Sequence, residues 1–93
     1  MRACHCCGFM TLTTEHEGSF EICPICFWED DQAQYEDPTY EGGANKPSLR
    51  QARSNFAEFG ACEKEMLPHA RPAGPEEFRT PGDSPQDTTI AKT

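Results

Sequence analysis

The chain has 93 residues and a mass of 10.4 kDa, which allow one small domain and exclude a two-domain enzyme. Only 35% of the residues are hydrophobic, so an apolar core alone is too small to stabilise the fold. The formal net charge of -8 argues against a surface that binds nucleic acid phosphates.

Six cysteines offer the missing stability, either as disulfides or as metal ligands. The first residues lack the apolar run of a secretory signal, and no apolar stretch is long enough to cross a bilayer. We therefore expect a cytoplasmic protein without membrane association. Reducing conditions there disfavour structural disulfides, so metal binding is the preferred interpretation.

Two Cys-x-x-Cys motifs lie near the start of the chain: Cys4 with Cys7, and Cys23 with Cys26. Their spacing is typical of a four-thiolate zinc site, in which two tight turns direct four sulfurs at one tetrahedral ion. Gly8 follows the first motif and can adopt the positive φ that such a turn needs. We predict one structural Zn²⁺ on these four cysteines. Such a closed site has no open position for hydrolytic chemistry.

Iron is the alternative metal, because four thiolates at tetrahedral geometry suit iron as well as zinc. Rubredoxin-type iron sites also use two such motifs, with Gly after the second cysteine of each. Here Phe27 follows Cys26, and a Phe residue adopts positive φ only at a steric cost. The sequence therefore favours zinc over a rubredoxin-like iron centre that carries electrons.

Between the two motifs, residues 9–14 and 19–22 are short β-compatible segments separated by a loop that contains Gly18. This pattern predicts a β-hairpin that turns the chain back and brings the motifs face to face. We expect a zinc-ribbon-like unit over residues 3–31.

The next predicted elements are an ordered loop over residues 32–46, with Tyr35 and Tyr40 as its apolar anchors, and a helix over residues 48–59. Ser48 is suited to cap the helix and Gly60 to end it. One face of the helix is apolar and is formed by Leu49, Ala52, Phe56 and Phe59.

The predicted fold is a small α+β domain stabilised by metal, spanning residues 1–67. It combines a zinc-ribbon-like β-hairpin, two cysteine motifs and one C-terminal helix. Residues 68–93 contain five of the eight prolines and few apolar residues, so they cannot offset the entropy cost of ordering. We predict that these residues form a largely disordered tail, with disorder beyond about residue 79 and docking of residues 68–79 on the domain left open.

Three further residues are close to this chemistry without a fixed role. Cys6 lies inside the first motif, where geometry makes it a poor ligand of the same ion, and Cys62 is distant in sequence. Both are interpreted as spare thiols or small packing residues, with redox sensing or ligand exchange as the alternative for Cys6. His5 borders the motif and is interpreted as solvated.

Aromatic and acidic residues follow the second motif directly, and residues 3–45 contain no Lys or Arg. This composition predicts a face that binds an unidentified basic protein, with the chain as an inhibitor or immunity-type antagonist. The predicted contact residues are Trp28, Glu29, Asp30 and Asp31. In the alternative interpretation, Phe27 and Trp28 instead cover the metal site as part of a small core.

Two other functions are less well supported. A nucleic acid-binding zinc ribbon would depend on Arg50 and Arg53, which lie on one helix face, but it conflicts with the acidic charge. An enzyme could use the carboxylates of residues 29–31 to bind Mg²⁺ or Mn²⁺, but no phosphate loop or nucleophile motif is present. We therefore expect a protein that is not an enzyme.

Several sequence blocks occur in the order of a known family: Cys4-His5-Cys6-Cys7-Gly8, residues 21–31, Gly42-Gly43-Ala44-Asn45 and residues 59–63. Together with Ser48-Leu49, they resemble the small bacterial cysteine-rich CPCC family over most of residues 2–67, extending at most to Phe78. The resemblance implies a bacterial zinc-ribbon-like protein and specifies the fold more than the biochemical role. This chain differs in having His5 where the family name has Pro.

Overall fold

The computed structural model describes residues 1–79. The predicted disorder of residues 80–93 lies outside the described residues. The elements in chain order are β1 (Arg2–Ala3), β2 (Met10–Leu12), α1 (Gln32–Glu36), α2 (Leu49–Phe59) and a 3-10 helix (Lys64–His69). Over residues 1–79, every helix is too short or too polar to span a membrane.

Each cysteine motif lies at the tip of its own narrow antiparallel pair. Strand β1 pairs with β2 around the first motif. Around the second motif, the amide of Phe20 donates to the Asp30 carbonyl and the amide of Asp30 donates to the Glu21 carbonyl, both at 2.9 Å, next to a bridge between Ile22 and Glu29. The sequence-based prediction that residues 9–14 pair with residues 19–22 is therefore wrong. Each segment instead pairs across its own motif, which closes a shorter loop.

The Glu21 carboxylate connects the two narrow pairs. It accepts hydrogen bonds from the backbone amides of Thr13 and Thr14, at 3.0 and 3.2 Å, and from both threonine hydroxyls. A side chain thus links the segments that were expected to be joined by a backbone ladder.

Buried polar side chains organise the segment after the second motif. Asp31 caps α1 by accepting from the Ala33 amide at 2.8 Å. Gln34 is fully buried, and its side-chain amide donates to the carbonyls of Asn45 and Pro47 at 3.2 and 2.9 Å. Gly43 is required here because a Cβ atom would lie 2.7 Å from the Asp31 carboxylate.

The predicted loop over residues 32–46 therefore differs from expectation in two respects. It contains the short helix α1, and polar groups hold it rather than Tyr35 and Tyr40. Those two side chains are 40% and 45% exposed, so they do not anchor the segment as apolar residues.

Helix α2 is confirmed with the predicted ends. The Ser48 hydroxyl accepts from the Gln51 amide at 3.0 Å, and Gly60 ends the helix in the left-handed conformation with φ 92°. Leu49 and Ala52 are fully buried against the cysteines, whereas the rest of the apolar face is half-buried.

The core of the described chain is centred on sulfur. Its buried residues are Cys4, Cys6, Cys7, Leu12, Cys23, Ile25, Cys26, Trp28, Leu49, Ala52 and Cys62. All six cysteines belong to it, and the larger apolar side chains surround them. The stability of this core therefore depends on what the cysteines bind.

After the 3-10 helix the chain returns across both motifs. The amide of Arg71 donates to the Ile25 carbonyl at 3.1 Å, and the Met10 amide donates to the Phe78 carbonyl at 3.0 Å. Arg79 forms a bridge with Phe9. The described part of the predicted tail, up to Arg79, thus packs on the domain beyond the predicted boundary at residue 67.

Candidate metal centre

The first motif is a tight turn that aims two sulfurs to the same side. The Gly8 amide donates to the Cys4 carbonyl at 2.9 Å, with Gly8 at φ 83°. The Cys6 amide points at the Cys4 sulfur at 3.4 Å. Because glycine adopts positive φ without steric cost, the turn closes here as predicted from the sequence.

The second motif forms the same turn, with equivalent hydrogen bonds. The Phe27 amide donates to the Cys23 carbonyl at 2.9 Å, and the Ile25 amide points at the Cys23 sulfur at 3.4 Å. Phe27 itself has φ 69°. The steric argument that separated this motif from the rubredoxin-type pattern is therefore wrong, since Phe27 adopts the left-handed conformation that glycine would.

The four predicted ligand residues converge in one cluster. The sulfurs of Cys4 and Cys26 are 3.6 Å apart, those of Cys7 and Cys23 are 3.7 Å apart, and all four lie within 4.8 Å of one another. A tetrahedral ion with metal–sulfur distances of about 2.3 Å separates its sulfurs by about 3.8 Å. The cluster therefore fits one tetrahedral metal ion, with zinc and iron both matching the donor set.

The four clustered sulfurs shift one another's protonation. Burial raises the pKa of Cys4 and of Cys26, and hydrogen bonding with Cys23 raises that of Cys7. Hydrogen bonds from the other three thiols lower the pKa of Cys23, which also accepts from the Thr11 hydroxyl at 3.2 Å. A bound metal would supply the positive charge that four thiolates need at such short separations.

The remaining cysteines lie beside the cluster. Cys6 and Cys62 are both fully buried, and the Cys62 amide donates to the Cys26 carbonyl at 2.9 Å. Burial, together with the neighbouring Cys6 and Glu63, raises the pKa of Cys62 to about 12. Cys62 is therefore a neutral packing thiol at neutral pH, in agreement with the sequence-based interpretation.

Two arginines hold the backbone of the first motif from outside. Arg53 on α2 donates from Nε to the His5 carbonyl at 2.9 Å, and Arg79 donates from Nε to the Cys7 carbonyl at 2.9 Å. The Arg79 guanidinium also lies 4.8 Å from the centre of the Phe9 ring. These hydrogen bonds fix the carbonyls on either side of Cys6. Neither role was predicted, because no local pattern connects these arginines to the motif.

His5 lies outside the sulfur cluster and is partly buried rather than solvated. Its Nδ1 is 3.5 Å from Asp30 Oδ1, and its ring stacks on Tyr35 with centroids 3.8 Å apart. Burial lowers the pKa of His5, and the charge of Asp30 opposes this effect. His5 thus joins the first motif to the polar groups around Asp30.

The predicted partner-binding residues are mostly inside the fold, which corrects the prediction. Trp28 and Asp30 are each 1% exposed and Asp31 is 8% exposed, while Glu29 is half-buried. Trp28 packs in the sulfur-centred core, which matches the alternative interpretation of this residue. Asp30 pairs with Arg2 at 2.9 Å, and Asp31 caps α1. Trp28, Asp30 and Asp31 therefore cannot form an exposed contact surface, whereas Glu29 stays partly accessible.

The comparison with protein families agrees with the geometry of the centre. The family model described as Cysteine-rich CPCC matches residues 2–77, so the chain belongs to the cysteine-rich CPCC family. The match continues past residue 67 into the segment that packs on both motifs. No curated protein matches the chain.

Proposed function

We propose that this CPCC-family chain binds one structural Zn²⁺ through Cys4, Cys7, Cys23 and Cys26, and that the folded domain acts as a small acidic protein-interaction module. The observation that carries the metal assignment is the convergence of four buried sulfurs with tetrahedral spacing. All four ligand residues are at most 1% exposed. A closed, four-thiolate site of this kind stabilises a fold and leaves no coordination position for a substrate.

The interaction role rests on charge and size. The chain carries a formal charge of -8. Because the proposed metal is buried and has no open coordination position, other molecules would contact the domain through its surface. A basic protein is the partner we propose, with an inhibitor or immunity-type antagonist as the functional class. We propose no enzymatic role and no nucleic acid partner. A reducing compartment such as the cytoplasm would keep the six thiols available for metal.

The zinc assignment is tested by measuring the metal content of the chain after purification without added metal. We expect one zinc per chain, no visible absorption and no change on addition of dithionite. A chain that contains no bound metal after purification under reducing conditions would contradict the proposal.

An iron centre is the second candidate, because Phe27 at φ 69° removes the steric argument against it and four thiolates suit iron as well as zinc. Iron bound by four thiolates would give a coloured protein whose absorption disappears on reduction. One iron per chain in protein from the native host would replace zinc in the proposal and would assign an electron-transfer role.

A further inference from the structure

The side chain of Thr11 is buried beside the sulfur cluster although it carries a hydroxyl group. Thr11 lies in β2 and is 4% exposed, and its hydroxyl donates to the Cys23 sulfur at 3.2 Å. Valine has nearly the same shape and favours strands equally, and a buried hydroxyl costs free energy unless it has a hydrogen-bond partner. Packing alone therefore does not explain a hydroxyl at this position, whereas the contact with sulfur does.

A bulge in the first narrow pair accounts for the direction of the Thr11 side chain. Ala3 pairs with Met10. Arg2, the residue before Ala3, pairs with Leu12, which leaves Thr11 as the extra residue of β2. Bulges redirect a side chain and interrupt the alternation of a strand. The bulge thus explains why two consecutive residues, Thr11 and Leu12, are both buried.

The contact of Thr11 with Cys23 joins one motif to the other. Each turn supplies a backbone donor to its own first cysteine: the Cys6 amide points at the Cys4 sulfur at 3.4 Å. The Ile25 amide points at the Cys23 sulfur at the same distance. Thr11 instead belongs to the strand that follows the first motif, so its hydroxyl fixes the Cys23 sulfur relative to that motif.

The direction of this hydrogen bond matters when Cys23 is a metal ligand. A thiolate has no proton to donate, so the hydroxyl must be the donor. Hydrogen bonds to a charged acceptor are stronger than neutral ones, and this one withdraws negative charge from the sulfur. Groups that hydrogen-bond to metal ligands orient those ligands, and their removal typically weakens metal binding by about 10–100-fold.

We propose that Thr11 is a positioning residue of the metal centre, whose hydroxyl holds the Cys23 thiolate in place for the ion and withdraws part of its negative charge. This inference rests on the proposed metal binding by the four converging cysteines. It adds a residue that acts on the affinity of the centre through Cys23, without contact with the ion itself.

The test titrates the complete, metal-free chain with Co²⁺ under reducing conditions, because Co²⁺ bound by thiolates has a sulfur-to-metal charge-transfer band. Thr11→Val keeps the shape of the side chain and removes the hydroxyl. We expect this variant to bind Co²⁺ about tenfold or more weakly than wild type. Its band should lie at longer wavelength, because a thiolate without this hydrogen bond transfers an electron to the metal more easily.

Two further variants separate the hydroxyl from packing. Thr11→Ser keeps the hydroxyl, so its band should stay at the wild-type position. Its affinity should fall by no more than about fourfold, the effect of one buried methyl group. Thr13→Val is the matched control, because Thr13 is exposed and its hydroxyl donates to the Glu21 carboxylate at 3.1 Å. It should leave both the affinity and the band unchanged.

The outcomes distinguish this inference from the proposed metal site. Equal affinity and an equal band in wild type and Thr11→Val would overturn the role of Thr11 and leave the four-cysteine centre intact. Weaker binding by Thr11→Val without a band shift, or an equal loss in Thr11→Ser, would also overturn it, because packing would then explain the effect. A wild-type chain without any charge-transfer band would overturn the metal site itself.

A variant that fails to fold does not leave the inference untested. If Thr11→Val takes up no Co²⁺, Thr11→Ser is compared with Thr11→Ala, because these two variants lack the same methyl group and differ in the hydroxyl alone. Tighter Co²⁺ binding by Thr11→Ser supports the positioning role of the hydroxyl. Equal binding by the two variants overturns it.

Discussion

At the residue scale, Phe27 illustrates how a metal-binding turn can tolerate a side chain that its backbone conformation disfavours. The turn is held by the hydrogen bond from Phe27 to the Cys23 carbonyl, and the ring is stabilised by packing. These contacts offset a conformational cost of about 1–3 kcal/mol. The residue after such a motif therefore does not identify the metal, because the geometry of the turn is the same with Gly8 and with Phe27.

The cysteines can be separated into ligands and packing residues by single substitutions. Cys23→Ser should abolish stable zinc binding, since Cys23 is one of the four converging sulfurs and accepts hydrogen bonds from Thr11 and Ile25. Cys62→Ser should retain one zinc per chain, because Cys62 lies outside the cluster. Zinc measured by mass spectrometry of metals after dialysis provides the comparison. Equal loss of zinc in both variants would refute the ligand assignment.

The stability of the N-terminal region depends on the buried carboxylate of Asp30. It pairs with Arg2 at 2.9 Å and accepts from the amide and hydroxyl of Ser19, each at 3.2 Å. Burial alone would raise the pKa of Asp30. The hydrogen bonds from Arg2 and Ser19, with the charges of Arg2 and His5, outweigh burial and lower it.

Asp30→Ala should destabilise the zinc-loaded chain by about 3 kcal/mol near pH 7, because it leaves the Arg2 charge without its partner. A lowered pKa stabilises the fold above the ordinary carboxyl pKa, and this stabilisation is lost as pH falls through the lowered value. The difference from wild type should therefore shrink in acid. Glu41→Ala, which removes an exposed carboxylate, should change stability by less than about 0.5 kcal/mol. Equal denaturant midpoints for wild type and Asp30→Ala at pH 7 would contradict this role.

At the element scale, the sequence predicts the features whose causes are local. Each cysteine motif is a short turn, and α2 is specified by Ser48, its apolar spacing and Gly60, so both were predictable. The burial of Trp28 was not, because composition alone does not separate an exposed aromatic from one that covers a metal site. Arg79 was predicted to lie at the edge of a disordered tail, yet it contacts Cys7, which is 72 residues earlier. Contacts between residues so far apart in the sequence produce no pattern of residue types from which they could be predicted.

The close packing around Gly43, next to α1, can be tested by substitution. Gly43→Ala places a Cβ atom 2.7 Å from the Asp31 carboxylate and 3.0 Å from the Gln34 side chain, both of which are held by buried hydrogen bonds. We expect a loss of about 1–3 kcal/mol in the free energy of unfolding. Gly42→Asn is the control, since Gly42 has φ 81° with open space around it and asparagine tolerates this conformation. If both variants unfold at the same denaturant concentration, the steric account of Gly43 is wrong.

At the scale of the whole molecule, we expect metal binding and folding to form a single equilibrium. The described core consists of six cysteines and a few apolar residues, and α2 contributes Leu49 and Ala52 by packing against those cysteines. Structural zinc contributes about 10–16 kcal/mol in small domains, which is comparable to the whole stability of a small protein.

Removal of the metal should therefore unfold α2 together with the motifs. A strong chelator under reducing conditions should abolish the far-ultraviolet circular dichroism of the helix, and added zinc should restore it. Zinc content is measured on the same samples. A helix signal that persists after zinc is gone would show that the domain folds without the metal.

The position of residues 71–79 has a consequence for the order of events during protein synthesis. The four proposed ligands lie within the first 26 residues, whereas the groups that cover the motifs come last: the amide of Arg71 on Ile25 and the side chain of Arg79 on Cys7. As the chain leaves the ribosome, the thiols emerge before their cover, so an ion can reach them freely. We therefore expect metal exchange to be slower in the complete chain than in a chain that lacks residues 71–79, which a competing chelator would measure.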